Sequence, residues 1–218
     1  LFHGAVVDSD SGKLALVLEF VSGQHVCDFI GGEGQGGQMP SCDARCQCLL
    51  GICHALVYLH SRHPQVVHGD LKSSNIMVQR LRRLPSELEV VHAKLLDFGI
   101  SRVLTRRAKP LGGTARWKAP ELFIRPATKP AGTADVFSFG CLVFFTVSGK
   151  KPLGELSQAE ITVLRRRGEE IPLRWPLDTP LIGQCEVMAD QTTVVDPKMR
   201  PSMQQVYEDL VQWPEVRQ

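Results

Sequence analysis

The sequence predicts an α+β fold in which a few strands come first and a mostly helical region follows. Two apolar segments near the N-terminus, residues 2–7 and 14–20, flank a run of turn-forming residues, which is typical of a β-hairpin. Farther along, an almost continuously apolar segment at 135–147 favours a helix that is buried on all sides. The chain has 218 residues, enough for one domain of ordinary size with a small satellite lobe.

Helical spacing of apolar residues predicts the next two elements. A short helical segment is expected near 26–30, followed by a loop at 31–37 that contains five glycines. The clearest helical pattern covers 41–61, and Ser41 is placed to act as its N-cap.

Short apolar runs predict three further strands, at 66–67, 76–78 and 93–96, with an exposed loop at 79–92 between the last two. Residues 97–121 show no sustained period, and a loop of that length inside a compact domain is usually functional or disordered. Beyond the buried segment, three more helices are expected, at 157–167, 180–189 and 202–213.

Charge and hydropathy exclude several classes of partner. The 25 Lys and Arg against 23 Asp and Glu give a net charge of +2, which offers no electrostatic reason to expect nucleic acid or an anionic membrane. The longest apolar runs, at 14–18 and 139–147, are too short to span a bilayer, and we predict no membrane segment. The start of the chain lacks the features of a signal peptide. Because the first residue is Leu1 rather than Met, we expect a piece of a longer protein.

Seven cysteines, an odd number, favour reduced thiols and a cytoplasmic location over a disulfide framework. Cys42 and Cys46 are four residues apart on the predicted helix and would offer two ligands to zinc, but no second pair completes a four-ligand site. We therefore favour a packing role for these thiols. A G-x-G-x-x-G match at 32–37 lacks the preceding strand and following helix that phosphate binding requires, so it favours a flexible linker.

Four short motifs occur in a fixed order along the chain. They are His-Gly-Asp-Leu-Lys-Ser-Ser-Asn at 68–75, Asp-Phe-Gly at 97–99, Ala-Pro-Glu at 119–121 and Asp-Val-Phe-Ser-Phe-Gly at 135–140. Each one alone is weak, since a single Asp or Asn is more often a turn cap than a catalytic group. All four in this order, with suitable gaps, are a specific signal.

The residue types in these motifs suit phosphoryl-transfer chemistry. An aspartate such as Asp70, held beside the cationic Lys72, can stay ionised and orient or accept a proton from a hydroxyl. Asn75 and Asp97 offer one neutral and one anionic hard oxygen, a donor set that suits Mg²⁺ shared with phosphate oxygens.

The motifs resemble those of eukaryotic-type protein kinases, and the resemblance covers essentially the whole chain. It implies a protein-kinase-like fold with a mostly helical large lobe and a remnant of the small β lobe. By this likeness residues 1–20 are the last strands of the small lobe, and residues 21–218 form the hinge and the large lobe. ATP and Mg²⁺ are then the expected cofactors, and a protein is the expected substrate.

The resemblance also assigns the catalytic residues: Asp70, Lys72, Asn75 and Thr114. Lys72 would neutralise charge on the transferred phosphoryl group, and the Thr114 hydroxyl would hold Asp70 and Lys72 in register. Both residues look like those of Ser/Thr kinases rather than tyrosine kinases. The residues at 71–75 and 113–117 most resemble those of the tyrosine-kinase-like group, which mostly phosphorylates Ser and Thr.

Nucleotide contacts follow from the same likeness. The backbone of Glu19 and Val21 in the hinge would bind adenine, Met77 would pack beneath it, and Leu18 would be the gatekeeper. Metal ligation is assigned to Asn75 and Asp97. Two structural contacts are implied as well: Asp135 anchors the backbone of the catalytic loop, and Arg200 pairs with Glu121.

Two departures from the family pattern stand out. Position 69 is Gly where most members have Arg, the usual receiver of an activation-loop phosphate. The glycine-rich loop, the strand lysine and the small-lobe glutamate would lie upstream of Leu1, and we find no substitute for them in this sequence.

Two other functions compete with a protein kinase. A pseudokinase or scaffold would use the same fold to bind partners, and the intact Asp70, Asn75 and Asp97 argue against it. A small-molecule kinase of related fold is disfavoured by the Ala-Pro-Glu motif and the Gly-Thr pair at 113–114, which serve peptide substrates in the family resembled.

Overall fold

A computed structural model of the protein describes residues 2–8, 10, 12–31, 38–81, 90–97, 114–124, 131–176, 181–214 and 216. Within these residues the order is as predicted, with strands first and mostly helices afterwards. The strands are β1 (Phe2–Asp8), β2 (Lys13–Leu18), β3 (Gln24–His25), β4 (Ile76–Leu81) and β5 (Val90–Leu95). The helices are α1 (Val26–Gly31), α2 (Cys42–His60), α3 (Glu121–Ile124), α4 (Gly132–Ser148), α5 (Gln158–Arg167), α6 (Ile182–Thr192) and α7 (Met203–Leu210).

Strands β1 and β2 form an antiparallel pair, here called the N-terminal ribbon. The N–H of Gly12 donates to the Asp8 carbonyl at 2.9 Å, and Gly12 has φ +65, a left-handed conformation suited to glycine. The pairing places Val7 opposite Leu14. Large apolar side chains of the ribbon are 37–71% exposed: Val6, Val7, Leu14, Leu16, Val17 and Leu18. The ribbon therefore buries little apolar surface against the rest of the described chain.

The second sheet has the order β3-β4-β5 and is antiparallel throughout. It lies on α2, where a Cβ added to Gly51 would stand 3.3 Å from the Ala93 side chain, so a larger residue would require one of them to shift by a few tenths of an ångström. Ile76 at the start of β4 pairs with Leu95 at the end of β5. Residues just before β4 and just after β5 consequently lie at one end of the sheet.

Helix α4 is the centre of the helical core, because its residues from Ala134 to Val147 are all buried. It packs on α6, where a Cβ on Gly140 would overlap the side chain of Thr192. The helix ends at Gly149, which has φ +68 and whose N–H donates to the Phe145 carbonyl at 2.8 Å. The buried helix predicted at 135–147 is confirmed.

Side-chain caps fix the start of three other helices. Ser41 accepts the backbone N–H of Ala44 at the start of α2, as predicted. Helices α5 and α7 each begin with a reciprocal capping box, Ser157 with Glu160 and Ser202 with Gln205.

Several predicted boundaries differ from the structure. Residues 66–67 form no strand: the Val66 N–H bonds to the Leu59 carbonyl, and the following amides bond to a side chain on α4. The two ends of the predicted loop at 79–92 are strand, because Gln79 pairs with His92 in the β4–β5 ladder despite the polar composition. Residues 82–89 of that loop lie outside the described residues. The two-residue strand β3 was not predicted.

Other predicted segments agree in part. The helix expected at 180–189 runs from Ile182 to Thr192, and the helix expected at 202–213 ends at Leu210. The glycine-rich stretch 32–37 and residues 98–113 of the predicted long loop lie outside the described residues. Among the described helices, none is both long and apolar enough to cross a membrane.

Candidate active site

A buried carboxylate on α4 holds the turn at residues 68–70. Asp135, which is 1% exposed, accepts the backbone N–H of His68 at Oδ2 and that of Gly69 at Oδ1, both at 2.8 Å. Gly69 has φ +77, a conformation that glycine adopts at no steric cost. His60, in the last turn of α2, donates its Nε2–H to the same carboxylate at 2.9 Å. The predicted contact between Asp135 and this backbone is confirmed.

The ring of His68 connects the turn to the segment that follows β5. His68 is fully buried, and its Nε2 donates to the Leu96 carbonyl at 3.0 Å, since a carbonyl oxygen only accepts. The other ring nitrogen, Nδ1, then accepts the backbone N–H of Asp70 at 3.3 Å. The N–H of Leu96 donates to the Asn75 carbonyl at 2.8 Å. These contacts bring Asp70, Asn75 and the residue before Asp97 into one cluster.

Three of the predicted site residues touch one another in this cluster. Lys72 Nζ donates to Asp70 Oδ2 at 2.7 Å. Asn75, in a short 3-10 turn at 73–75, donates its amide Nδ2–H to the Asp70 carbonyl at 2.9 Å and to Asp70 Oδ2 at 3.3 Å. One carboxylate oxygen of Asp70 is therefore fixed by two donors.

The other oxygen of the Asp70 carboxylate differs in its hydrogen bonding. Asp70 Oδ1 is buried and makes no hydrogen bond within the part of the chain that the structure describes. A buried carboxylate oxygen without a donor is costly unless a partner arrives, which makes it an acceptor awaiting an O–H or N–H group.

The oxygens of Asn75 and Asp97 fit a divalent cation. Because both Asn75 amide hydrogen bonds come from Nδ2, its Oδ1 points elsewhere, and it makes no hydrogen bond in the described chain. Asp97 is exposed and has φ +59, a backbone conformation that Asp adopts more readily than most residues. No group of three His, Cys, Asp or Glu side chains among the described residues forms a complete protein cage. A hard oxygen that no described donor occupies, on the buried Asn75, and an exposed carboxylate, on Asp97, suit a cation shared with phosphate.

The residues predicted to form the hinge adjoin the sheet through Lys94, the strand neighbour of Met77. Met77 in β4 pairs with His25 on one side and Lys94 on the other. Lys94 Nζ bonds to Glu19 Oε1 at 2.8 Å, and this hydrogen bond lowers the pKa of Glu19 to about 2, so that the carboxylate stays ionised. The Val21 backbone makes no hydrogen bond with the rest of the described chain.

The segment at 114–120 contacts α4. The backbone of Thr114 starts a 3-10 turn at 114–116, while its side chain, and with it the predicted hydroxyl role, lies outside the described residues. Phe98, Gly99 and Gly113 also lie outside them. Ser138 of α4 donates to the Trp117 carbonyl at 2.8 Å, which fixes this segment beside the helix.

The predicted ion pair between Glu121 and Arg200 is confirmed and is bidentate, with contacts of 2.8 and 2.9 Å. The Arg200 guanidinium is fully buried, and it also donates to the carbonyls of Thr133, Val194 and Val195. The pair joins α3, and hence the end of the segment at 114–120, to the buried face of α4.

The cysteines behave as packing residues. Cys46, Cys48 and Cys53 are buried in α2, and burial raises the pKa of Cys48 to about 12, so this thiol stays protonated. Cys42 accepts an N–H of Arg45 at 3.3 Å. All seven cysteines are free thiols.

Sequence reasoning assigned no role to three side chains near the cluster. His60 reaches Asp135 from the end of a helix, and Lys94 reaches Glu19 across 75 positions, so no local pattern marks either contact. Lys118 lines a cleft with Asp70. In the sequence, Lys118 is a charged residue between the apolar Trp117 and Ala119, and this is the local feature that could have marked it as a candidate.

Comparison with known proteins gives one family over nearly the whole chain. A family model described as protein kinase domain matches residues 3–211. MDIS1-interacting receptor like kinase 1 of Arabidopsis thaliana is 29% identical over 213 residues, which cover 89% of this chain and 20% of that protein.

Two further relatives are named as serine/threonine kinases. Receptor-interacting serine/threonine-protein kinase 3 of Homo sapiens is 32% identical over 173 residues, 73% of this chain and 31% of that protein. Serine/threonine-protein kinase CTR1 of Arabidopsis thaliana is 29% identical over 165 residues, 74% of this chain and 18% of that protein. The chain thus spans less than a third of the length of each of these relatives.

Proposed function

This chain belongs to the protein kinase domain family, and on that premise we propose that it transfers the terminal phosphoryl group of ATP to serine and threonine hydroxyls of protein substrates. The predicted family and the α+β kinase-like fold class are confirmed by the match. Relatives named as serine/threonine kinases support the acceptor type, although the chain is only part of their length.

The observation that carries the proposal is the unpartnered Oδ1 of Asp70. A substrate hydroxyl donating to this oxygen would be oriented for attack, and its proton would pass to Asp70 as the new O–P bond forms and the bond to the ADP oxygen breaks. Lys72, 2.7 Å from the other carboxylate oxygen, stands where its charge would offset that of the transferred phosphoryl group. The same intact arrangement argues against a noncatalytic scaffold.

Membership of the family implies ATP and a divalent metal in general, and we assign Mg²⁺ to Asn75 Oδ1 and the Asp97 carboxylate. The Asn75 Oδ1, which makes no hydrogen bond in the described chain, and the exposed carboxylate of Asp97 are hard oxygens that support the assignment. When bound, the cation would neutralise phosphate charge. Asn75 would hold its ligand oxygen in place through its two hydrogen bonds to Asp70.

For the nucleotide, we assign the adenine edge to the backbone of Glu19 and Val21 and the adenine face to Met77. The free Val21 backbone and the position of Met77 beside the hinge support this assignment. We place the boundary between the small and large lobes at residues 20 and 21, and propose that the Thr114 hydroxyl holds Asp70 and Lys72 in register. Gly69 offers no cation, so we expect no activation-loop phosphate to be received at that position.

We propose that the domain works in the cytoplasm. Seven free thiols are consistent with a reducing compartment, and ATP is the phosphoryl donor.

The test is Asp70→Asn in the purified protein. We expect phosphoryl transfer to a protein substrate to fall by about 10²- to 10⁴-fold, because the proton acceptor is lost, with ATP affinity little changed. Asp190→Asn, an exposed aspartate on α6, is the matched control and should retain full activity. Turnover in Asp70→Asn equal to that of the control would refute the assignment.

A further inference from the structure

Lys118 lies in a cleft that also contains the proposed catalytic carboxylate. The cleft is open to solvent, and its empty volume of about 230 Å³ includes part of that open space. Both Asp70 and Lys118 line it. The other lining residues are Gly69, Leu71, Trp117, Leu122, Ala134, Asp135 and Ser138.

Of the charged groups that line this cleft, Lys118 alone lacks compensation. Asp70 is paired with Lys72, and Asp135 accepts three hydrogen bonds, including one from His60. Lys118 is half-buried, and its side chain makes no hydrogen bond or ion pair with the residues that the structure describes. A cation so placed has not been neutralised by the fold.

The surroundings of Lys118 would strengthen its attraction for an anionic group. Leu71, Trp117 and Ala134 present apolar or neutral surface, and Trp117 is fixed through its carbonyl by Ser138. In a partly desolvated cleft, an ammonium group attracts a carboxylate more strongly than at an open surface. Lysine is a compact point charge, so it selects for charge more than for shape.

Resting on the proposed function, we propose that Lys118 selects protein substrates carrying an acidic side chain within one or two residues of the acceptor serine or threonine. The acceptor hydroxyl would stand at Asp70 Oδ1, and residues of an extended peptide are about 3.3 Å apart along the chain. A neighbouring Asp or Glu would then enter the same cleft, which Lys118 also lines. A phosphorylated residue offers the same anionic chemistry and is the second source to be distinguished.

The experiment uses matched peptides with one acceptor serine. Asp, Asn, Lys or phosphoserine is placed one or two positions before or after it, and kcat/KM is measured with saturating ATP. Wild type should favour the best Asp peptide over its Asn counterpart by about 5- to 10-fold, as expected for a partly desolvated charge pair. Lys118→Met should abolish that ratio, and Lys118→Glu should reverse it in favour of the Lys peptide. Lys150→Met, at an exposed lysine after α4, should keep the wild-type ratio.

The outcomes separate the two levels of the proposal. Equal rates on Asp and Asn peptides, or an acidic preference that persists in Lys118→Glu, would overturn the role of Lys118 and leave the kinase activity standing. Failure of the wild type to phosphorylate any peptide or protein would overturn the proposed function itself. A phosphoserine peptide that outpaces the Asp peptide, with the advantage lost in Lys118→Met, would support anion selection by Lys118 and identify the phosphorylated source. Because each variant is judged by a ratio between peptides, a general loss of folded protein does not imitate the expected result.

Discussion

The N-terminal ribbon and helix α4 are similarly apolar in sequence and opposite in environment. Val7 is 71% exposed and Leu14 61%, whereas every residue of α4 from Ala134 to Val147 is buried. A two-stranded ribbon has two faces and few neighbours, and on its own it is marginal in water. Helix α4 packs against α2 and α6, and its Asp135 holds the turn at 68–70. The contrast teaches that apolar composition stabilises only where another surface completes the packing.

The same contrast separates the polar contacts of the two regions. At the hinge the link between ribbon and sheet is the half-exposed pair of Lys94 and Glu19, of a kind that contributes little to stability. Around α4 one partner of each pair is buried, the Arg200 guanidinium or the Asp135 carboxylate, and removal of either partner leaves the other without compensation. Substitutions in the two regions should therefore differ in cost by several fold.

The largest effect is expected for Arg200→Ala. It leaves Glu121 without its partner and orphans three carbonyls, at a cost of about 3–5 kcal/mol. In a chain of this size that corresponds to a fall in Tm of roughly 10 °C by differential scanning calorimetry. Arg166→Ala, at an exposed position of α5, is the control and should melt close to wild type. Equal Tm values for the two variants would break the comparison.

Gly140→Ala should be the next most damaging change. Alanine normally stabilises a helix relative to glycine by about 1 kcal/mol, but here its Cβ would overlap Thr192, so we expect a net loss of about 1–3 kcal/mol. Gly183→Ala in α6 tests the opposite sign, since a Cβ there meets nothing within 4 Å. Urea denaturation of both variants should give changes in unfolding free energy of opposite sign.

Arg165→Met tests whether every buried arginine near α4 stabilises the protein as Arg200 does. Arg165 is fully buried, its Nε and Nη1 make no hydrogen bond in the described chain, and burial lowers the pKa of its guanidinium. Unlike Arg200, it forms no ion pair with a carboxylate among the described residues, although both lie over the ring of Phe137. Replacement by an apolar side chain of similar length should be neutral or stabilise by about 1 kcal/mol. A Tm drop as large as that of Arg200→Ala would show that the carboxylate is not what distinguishes the two.

The smallest effect is expected on the ribbon. Leu14→Thr replaces an exposed apolar side chain by a residue that strands accept, and the free energy of unfolding should change by no more than about 0.5 kcal/mol. Hydrogen exchange should also show the amides of β1 and β2 opening far more readily than those of α4. A Leu14→Thr variant that melts several degrees lower would mean that a surface covers the ribbon in solution.

Elements that are set by residues close together in the sequence could be predicted, and elements that depend on distant residues could not. Helix α4 and the Ser41 cap are local patterns, and both are confirmed. Strand β3 has two residues, and its hydrogen bonds come from a strand some fifty positions later, so no local period marks it. The polar ladder at Gln79 and His92 was missed because strand pairing, unlike hydrophobic alternation, leaves no trace in composition.

The site divides in the same way. Ordered motifs predicted Asp70, Lys72, Asn75 and Asp97, and the structure brings the first three into contact. The ring of His68 and the distant His60 act through geometry that only folding creates. The sequence could name the residues of the cluster but not the hydrogen-bond network that orients them.

The three hydrogen bonds that Asp135 accepts affect the order in which parts of the protein unfold on heating. They tie the turn that presents Asp70 to the most buried helix of the domain and to the end of α2, so this turn has no independent route to local melting. On heating, the catalytic turn should persist until the helical core itself gives way. Heat inactivation should then follow the cooperative transition of the large lobe, with no earlier softening of the turn, even while the ribbon frays at lower temperature.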